Sequence, residues 1–233
     1  MREIIFDTET TGLDPKTGDR LVEIGCVELI DRRETGVTFH AYFNPERDMP
    51  AAAEAVHGLS IQFLSDKPLF ATRVDELMEF LGDAPMVAHN AAFDFGFVNA
   101  ELMLAGRPAL DMNRMRCTVQ MARKLHPGAK HSLDALCTRY GIDRSHRIKH
   151  GALLDAELLA HLYIEMTGGR QIGLSLAAQS VDVGRSLAAA PVRAAAPARA
   201  FREPRPHGAT AAELARHTEF VAALNQPLWH DSP

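Results

Sequence analysis

The sequence predicts an α/β fold, a mixed β-sheet flanked by helices, followed by a flexible tail. Three observations support this prediction. The first 45 residues contain three strand-like segments, the last two of which have alternating apolar positions. Further strand-like segments are then interleaved with helical ones up to residue 169, as in mixed sheets with helices on both faces. Finally, 46% of the residues are hydrophobic and 24% are charged, which is typical of a globular chain with a substantial core.

The N-terminal strands are predicted over residues 3–7, 21–29 and 38–43. They follow one another closely and the last two alternate, so we expect neighbours in an antiparallel meander. Apolar spacing then predicts helices over residues 51–57, 60–64, 69–81, 93–104, 119–125, 133–140 and 151–167. Short strands are predicted at residues 86–89 and 115–117.

The composition excludes several classes of protein. No run of 18 uninterrupted apolar residues exists, so we expect no membrane span, and the N-terminus is too short in apolar residues for a secretory signal. We therefore expect a cytoplasmic protein. The three cysteines are far apart and form no CxxC pair, which argues against a disulfide framework or a zinc ribbon.

The chain changes character after residue 169. Residues 188–209 include nine Ala and four Pro and cannot build a core, so residues 170–209 are predicted to be a flexible linker. Residues 210–233 form the third predicted part, in which Thr210 and Glu213 have the spacing of a helix capping box. An apolar stripe follows, and we expect a partner protein to cover it; packing against the chain's own domain is the alternative. The stripe comprises Ala211, Leu214, Val221 and Leu224, followed by Leu228 and Trp229.

Acidic residues occur where apolar strands and helices should be buried. Asp7 and Glu9 end the first strand two positions apart, so both carboxylates project from one face. Asp94 lies in the first turn of a helix after a short strand, and Asp155 lies one turn inside a largely apolar helix. Three of these acids have an ordinary alternative explanation, a turn cap for Asp7 and Glu9 and a favourable interaction with the helix dipole for Asp94.

Together with His150, which precedes the last helix, these four acids form the set that two-metal phosphodiester hydrolysis requires. Oxygen ligands favour two Mg²⁺ or Mn²⁺ ions, and His150 is the available general base. A zinc cluster of His126, His131, His146 and His150 is a weaker alternative, because the spacings fit no common zinc pattern.

Three segments carry a family resemblance: Asp7-Thr-Glu-Thr-Thr-Gly-Leu13, His89-Asn-Ala-Ala-Phe-Asp94 and His150-Gly-Ala-Leu-Leu-Asp155. They resemble the three motifs of DEDDh-family 3′-to-5′ exonucleases, and most closely those of bacterial proofreading subunits. The resemblance covers residues 1–169 and implies a ribonuclease H-like fold and release of nucleoside 5′-monophosphates from a 3′ end. It implies proofreading of DNA synthesis as the function.

The resemblance also implies residue roles. Asp7 would bridge two metals, Glu9 and Asp155 would hold the first, Asp94 would support the second, and His150 would activate water. The terminal nucleotide would contact a further set of residues: Thr8, Thr10, Thr11, Leu13, Val56, His57, Asn90 and Phe93. For His57 a helix-terminal cap is an equally good explanation.

The net charge of the sequence indicates that the protein needs partners to act on DNA. Residues 1–169 carry 18 basic and 25 acidic side chains, so this part alone should hold DNA weakly. A replicative DNA polymerase that binds the C-terminal helix would raise the local concentration of the primer end. Gln171, Leu174 and Leu176 lie in a peptide, residues 171–176, that resembles sliding-clamp ligands, although a simple linker explains it equally well. A small accessory subunit is a further possible partner.

Two other functions are compatible with parts of the sequence. A free-standing exonuclease that trims RNA or single-stranded DNA would use the same motifs, but the tail argues against it. A non-catalytic scaffold that stabilises a polymerase is the alternative from another class, and the complete set of acids argues against it.

Overall fold

The computed structural model describes residues 1–145, 149–169 and 208–224, which include one five-stranded mixed sheet. The strands are Arg2–Thr10 (β1), Leu21–Ile30 (β2), Arg33–Tyr42 (β3), Met86–Ala88 (β4) and Met115–Cys117 (β5). Their order across the sheet is β3-β2-β1-β4-β5. Strands β1, β2 and β3 form the predicted antiparallel meander, and β4 and β5 extend the sheet in parallel with β1.

Helices cover both faces of this sheet, which confirms the predicted fold class. The helices are Ala51–His57 (α1), Ile61–Leu64 (α2), Phe70–Leu81 (α3), Ala92–Leu104 (α4), Thr118–Leu125 (α5), Leu133–Tyr140 (α6), Ala152–Met166 (α7) and Ala211–Ala222 (α8). The chain divides into two compact units, Met1–Ala178 and Gln179–Pro233, and α8 is in the second. In the described ranges no helix has the length and apolar character needed to cross a membrane.

The alternation of β1 divides the core into two layers. Ile4 and Phe6 face a cluster that includes Phe70 of α3 and Phe95 of α4. Ile5 faces the opposite cluster, which contains the buried residues of α7. Odd-numbered residues of β1 therefore face α7, and even-numbered residues face α4.

Two strand boundaries differ from the prediction by more than one residue. Strand β1 continues to Thr10 rather than ending at residue 7, because its polar end is buried and still paired with β2. Strand β3 begins at Arg33 rather than residue 38. Asp31 and Arg32 both have positive φ, 50° and 61°, as in the turns of tight two-residue hairpins. The first residues of β3 are exposed on both faces and so carry no apolar alternation.

The other predictions for this unit concern the cysteines and helix ends. Cys26, Cys117 and Cys137 are all free, and burial raises the pKa of the Cys26 thiol well above its ordinary value. The cap of α6 is as predicted, since the Ser132 side chain accepts a hydrogen bond from the amide of Ala135.

In the second unit, the capping box of α8 is confirmed. The Thr210 hydroxyl accepts from the Glu213 amide, and the Glu213 carboxylate accepts from the Thr210 amide. The predicted linker up to residue 207 and the end of the chain from residue 225 lie outside the described residues.

Gly25 allows α7 to lie directly against the sheet. It is on β2, opposite Asp7 of β1. A Cβ atom at this position would lie 2.3 Å from the backbone Cα and N of Leu153, in the first turn of α7. Real Cβ atoms do not approach backbone so closely, so only glycine permits this contact. The start of α7 is thereby held beside the carboxylate-bearing end of β1.

We predict that Gly25→Ala lowers the free energy of unfolding by roughly 2–3 kcal/mol, because α7 must move off β2. Gly96→Ala is the control. Gly96 lies inside α4 with no atom near its missing side chain, so alanine should stabilise the protein by about 0.5–1 kcal/mol. Urea denaturation of both variants measures the difference, and a Gly25→Ala protein as stable as the parent would contradict this packing.

Candidate active site

The end of β1 carries the first two predicted acids. Asp7 and Glu9 follow Ile5 at alternate positions and so face α7. Asp7 pairs with Gly25 of β2, and Glu9 pairs with Glu23. The lack of a side chain at Gly25 leaves Asp7 beside the start of α7, which brings the third predicted segment to this edge.

Asp94 approaches the same place from the other face of the sheet. It lies in the first turn of α4 and is only 2% exposed. The Thr8 hydroxyl, which faces α4, donates a hydrogen bond of 2.8 Å to Asp94 Oδ1. Burial raises the pKa of the Asp94 carboxyl to about 7, although the hydrogen bond from Thr8 acts in the opposite direction. Thr8 thus fixes the position of an acid whose ionisation is costly.

The first turn of α7 contributes the remaining residues. Asp155 is buried, and its amide donates to the carbonyl of Gly151. His150 precedes the helix and is half-exposed, with its Nδ1 atom 3.3 Å from Asp155 Oδ2. The His150 amide donates to the carbonyl of Val56, which attaches this segment to the end of α1.

All five predicted catalytic residues line one cleft of about 270 Å³. Glu9, His150 and Asp155 each offer a ligand atom, and these three atoms lie within 4.8 Å of one another. The lining comprises Asp7, Thr8, Glu9, His89, Phe93, Asp94, Ser132, Leu133, Asp134, His150 and Asp155. So dense a group of carboxylates, three of them buried, needs cations. The donor set therefore fits hard divalent metal ions.

The predicted nucleotide-contacting residues lie close in sequence to this cleft but differ in exposure. Thr8 and Phe93 line it directly. The Thr10 hydroxyl donates to the carbonyl of Gly12, and the Thr11 hydroxyl accepts from the amide of Arg20. Leu13 is 85% exposed, and these contacts hold the strand end that presents it.

The other three predicted nucleotide-contacting residues, Val56, His57 and Asn90, lie at the ends of helices. Val56 is exposed at the end of α1, while His57 is buried and its Nδ1 accepts from the amide of Leu59. Burial lowers the pKa of His57. Asn90 is exposed and adopts a φ of 70°, a left-handed conformation that asparagine tolerates between β4 and α4.

Of the predicted partner-binding residues, three lie in the described part. Leu214 is exposed on α8, Val221 is buried, and Leu224 is partly buried. Gln171, Leu174, Leu176 and Trp229 lie outside the described residues, as does His146 of the zinc alternative. His126 and His131 of that alternative bind other groups, since their Nε2 atoms are 2.8 Å from the Tyr140 hydroxyl and the His126 carbonyl.

Sequence reasoning missed several residues that line the cleft or lie next to its acids. Glu23 is 2% exposed beside Glu9, and its carboxylate is 2.7 Å from Nε2 of His40. The sequence did contain a sign of Glu23, because it is an acid at an inward-facing position of an apolar strand. His89 and the first turn of α6 also line the cleft. Apolar spacing and the cap at Ser132 predicted α6 as a helix, but nothing in the sequence indicated that it borders the cleft.

Comparison with known proteins agrees with this geometry. The family described as "Exonuclease" (RNase_T) matches residues 4–163. The DNA polymerase III subunit epsilon of Rickettsia felis (strain ATCC VR-1525 / URRWXCal2) is 45% identical over 227 residues, which cover 96% of this chain and 97% of that protein. The same subunit of Escherichia coli (strain K12) is 47% identical over 176 residues, or 72% of each chain.

Solved structures show the same fold. Exonuclease X in complex with 5′ overhanging duplex DNA has a TM-score of 0.54 and 26% identity, and the match covers 71% of this chain and 90% of that one. The zinc-bound form of the E. coli ExoI–ssDNA complex has a TM-score of 0.59 and 18% identity, covering 73% and 41% of the two chains.

The raised pKa of Asp94 predicts how stability without metal depends on pH. This carboxyl has a pKa of about 7 in the folded state and about 4 in the unfolded state. At pH values between these two, the folded state therefore binds more protons than the unfolded state. Its contribution to stability is therefore present at low pH and lost as the pH rises through about 7.

We expect Asp94→Asn, which cannot ionise, to gain stability over the parent as the pH rises from 5 to 8 in EDTA, by on the order of 2–4 kcal/mol. Exposed Asp83→Asn is the control and should show no such trend. Chemical denaturation at several pH values measures both variants, and parallel curves for Asp94→Asn and the parent would refute the prediction.

Proposed function

We infer the function from family membership: the chain belongs to the Exonuclease (RNase_T) family, and a DNA polymerase III epsilon subunit matches it over nearly its full length. It is a 3′-to-5′ exonuclease that proofreads DNA synthesis. The observation that carries this conclusion is the 45% identity across 96% of the chain, combined with four acids and a histidine around one cleft.

We propose that Asp7, Glu9, Asp94 and Asp155 hold two divalent ions, Mg²⁺ or Mn²⁺. Support comes from their common cleft and from the preference of these cations for carboxylate oxygens. When bound, such ions neutralise the carboxylates and stabilise both the attacking and the leaving oxygen of the phosphodiester. The Thr8 hydroxyl keeps Asp94 oriented toward the cleft.

We propose that His150 is the general base. A half-exposed imidazole at the mouth of the cleft can accept the proton of the attacking water and pass it to solvent. Asp155, 3.3 Å from Nδ1, orients the ring and stabilises the imidazolium that forms. The hydrogen bond between the His150 amide and Val56 fixes the backbone that carries this ring.

We propose that the terminal nucleotide of the DNA lies between the β1 end and the end of α1. Leu13 and Val56 offer exposed apolar surface for a base, and Phe93 lines the cleft floor beside Asp94. Thr10, Thr11, His57 and Asn90 support the backbone around this position. Because a strand end must be unpaired to enter, mispaired ends should enter more easily than paired ones.

The tail provides the proposed link to the replication machinery. We propose that residues 210–233 bind the polymerase catalytic subunit, with residues 170–209 as the linker and residues 171–176 as a clamp-binding peptide. Exposed Leu214 and the capping box of α8 support the first part of this proposal. We also propose that a small accessory subunit binds the exonuclease domain and that the protein is cytoplasmic.

His150→Ala should lower the turnover number for a single-stranded oligonucleotide by roughly 100-fold or more near pH 8, because water loses its proton acceptor. The matched control is His161→Ala. Both histidines are 48% exposed and both contact an acid, since His161 Nε2 lies 2.8 Å from Glu34. Steady-state rates with saturating Mn²⁺ measure the effect, and an undiminished rate in His150→Ala would remove it from the role of base.

The proposed function is tested with primer–template DNA that differs only in its last pair. We expect hydrolysis of a mispaired 3′ end to exceed that of a paired end by roughly tenfold or more at limiting enzyme, because unpairing costs a few kcal/mol. Equal rates would argue against proofreading.

Two measurements test the role of the tail: co-elution with the polymerase subunit, and hydrolysis of free oligonucleotides. Leu214→Glu should abolish co-elution with the polymerase and leave hydrolysis of free oligonucleotides unchanged. Ala212→Glu, on the opposite side of α8, should preserve both.

A further inference from the structure

Positive charge is concentrated in one part of the exonuclease unit, residues 123–149, which we call the basic segment. It carries seven Lys and Arg against two Asp, a formal charge of +5. The rest of residues 1–169 carries 11 Lys and Arg against 23 Asp and Glu, a formal charge of −12. The unit is therefore an acidic body with a single strongly basic segment.

The cations of the basic segment differ from the others in their pairing. Outside it, seven of the 11 Lys and Arg form ion pairs with carboxylates. Inside it, only Arg144 does so among the residues that the structure describes, with Nη1 3.0 Å from Asp134 Oδ1. The other described cations are all exposed: Arg123, Lys124, Lys130, Arg139 and Lys149. Their charge is available to a ligand.

The middle of the basic segment borders the active-site cleft at α6. Ser132, Leu133 and Asp134, at the start of this helix, line the cleft itself. Lys130, Ala135, Thr138 and Arg139 line a second groove of about 520 Å³. Asp134 lines the cleft, and Thr138, four residues further along α6, lines the groove. Side chains four residues apart lie on the same face of a helix, so the groove begins beside the cleft.

The end of the basic segment borders the cleft on another side. The Lys149 side chain lies over Gly58, so closely that a Cβ atom there would meet Lys149 Cδ at 2.7 Å. The next residue is His150, whose amide is bonded to Val56. Cations thus stand at two borders of the cleft, which is itself lined by acids.

We propose that Lys130 and Arg139 bind, in the α6 groove, phosphates of the DNA strand whose 3′ end occupies the cleft. This inference rests on the proposed function and identifies where the rest of the substrate lies. An acidic protein surface would also complement the charge. The DNA strand is favoured because the groove lies beside the cleft on α6, and backbone phosphates must continue from the terminal nucleotide.

The test compares a dinucleotide with a single strand of about 12 nucleotides, since only the longer strand can reach the groove. The full chain carrying Lys130→Gln and Arg139→Gln should show a KM for the longer strand raised roughly fivefold to tenfold at low salt, with kcat within twofold. The slope of log KM against the logarithm of the salt concentration should decrease by about 1.4, or 0.7 for each lost phosphate contact. The dinucleotide should be hydrolysed with unchanged constants.

The control variant removes two positive charges elsewhere, by Arg33→Gln and Arg107→Gln, and should leave KM and kcat for both substrates unchanged. Melting temperatures establish that both variants fold.

An unchanged KM for the longer strand, or an equal rise for the dinucleotide, would overturn the inference. An unchanged KM with weakened polymerase binding would assign the basic segment to an acidic protein instead. If the unaltered chain hydrolysed neither substrate, the proposed function itself would fail.

Discussion

Repulsion between carboxylates is the constraint around which this fold is arranged. Asp7, Glu9, Asp94 and Asp155 line one cleft, and Glu23 stands beside Glu9. Neighbouring carboxyl groups in a buried site cannot all be ionised without compensating charge, so keeping them together lowers the stability of the protein. The β-sheet, the packing of α7 and the hydrogen bond from Thr8 supply the rigidity that the site needs, and cations supply the charge.

Much of this arrangement follows from the sequence, because it depends on local periodicity. The alternation of β1 places Asp7 and Glu9 on one face, and the helical spacing after His150 places Asp155 one turn inside α7. What could not be predicted depends on contacts between distant segments. The hydrogen bond from Thr8 to Asp94 joins residues 86 positions apart, and the exposed start of β3 carries no alternation. Gly25 looks like any strand glycine until the position of α7 is known.

The separation of charge explains how an acidic domain can act on a polyanion. The body of the unit repels phosphates, whereas the basic segment and the metals attract them at one place. Long-range repulsion then disfavours DNA on the remaining surface, so the geometry of binding is restricted even where affinity is modest. Attachment to a polymerase supplies the concentration that attraction alone does not.

The capping box of α8 has a consequence for how the tail recognises a surface. Short isolated helices are limited by the cost of forming the first turn, and Thr210 and Glu213 satisfy the amides of that turn from within the segment itself. A segment that begins its own helix has less entropy to lose on docking. Coupled folding and binding then consumes a smaller share of the interaction energy, so more of it contributes to affinity.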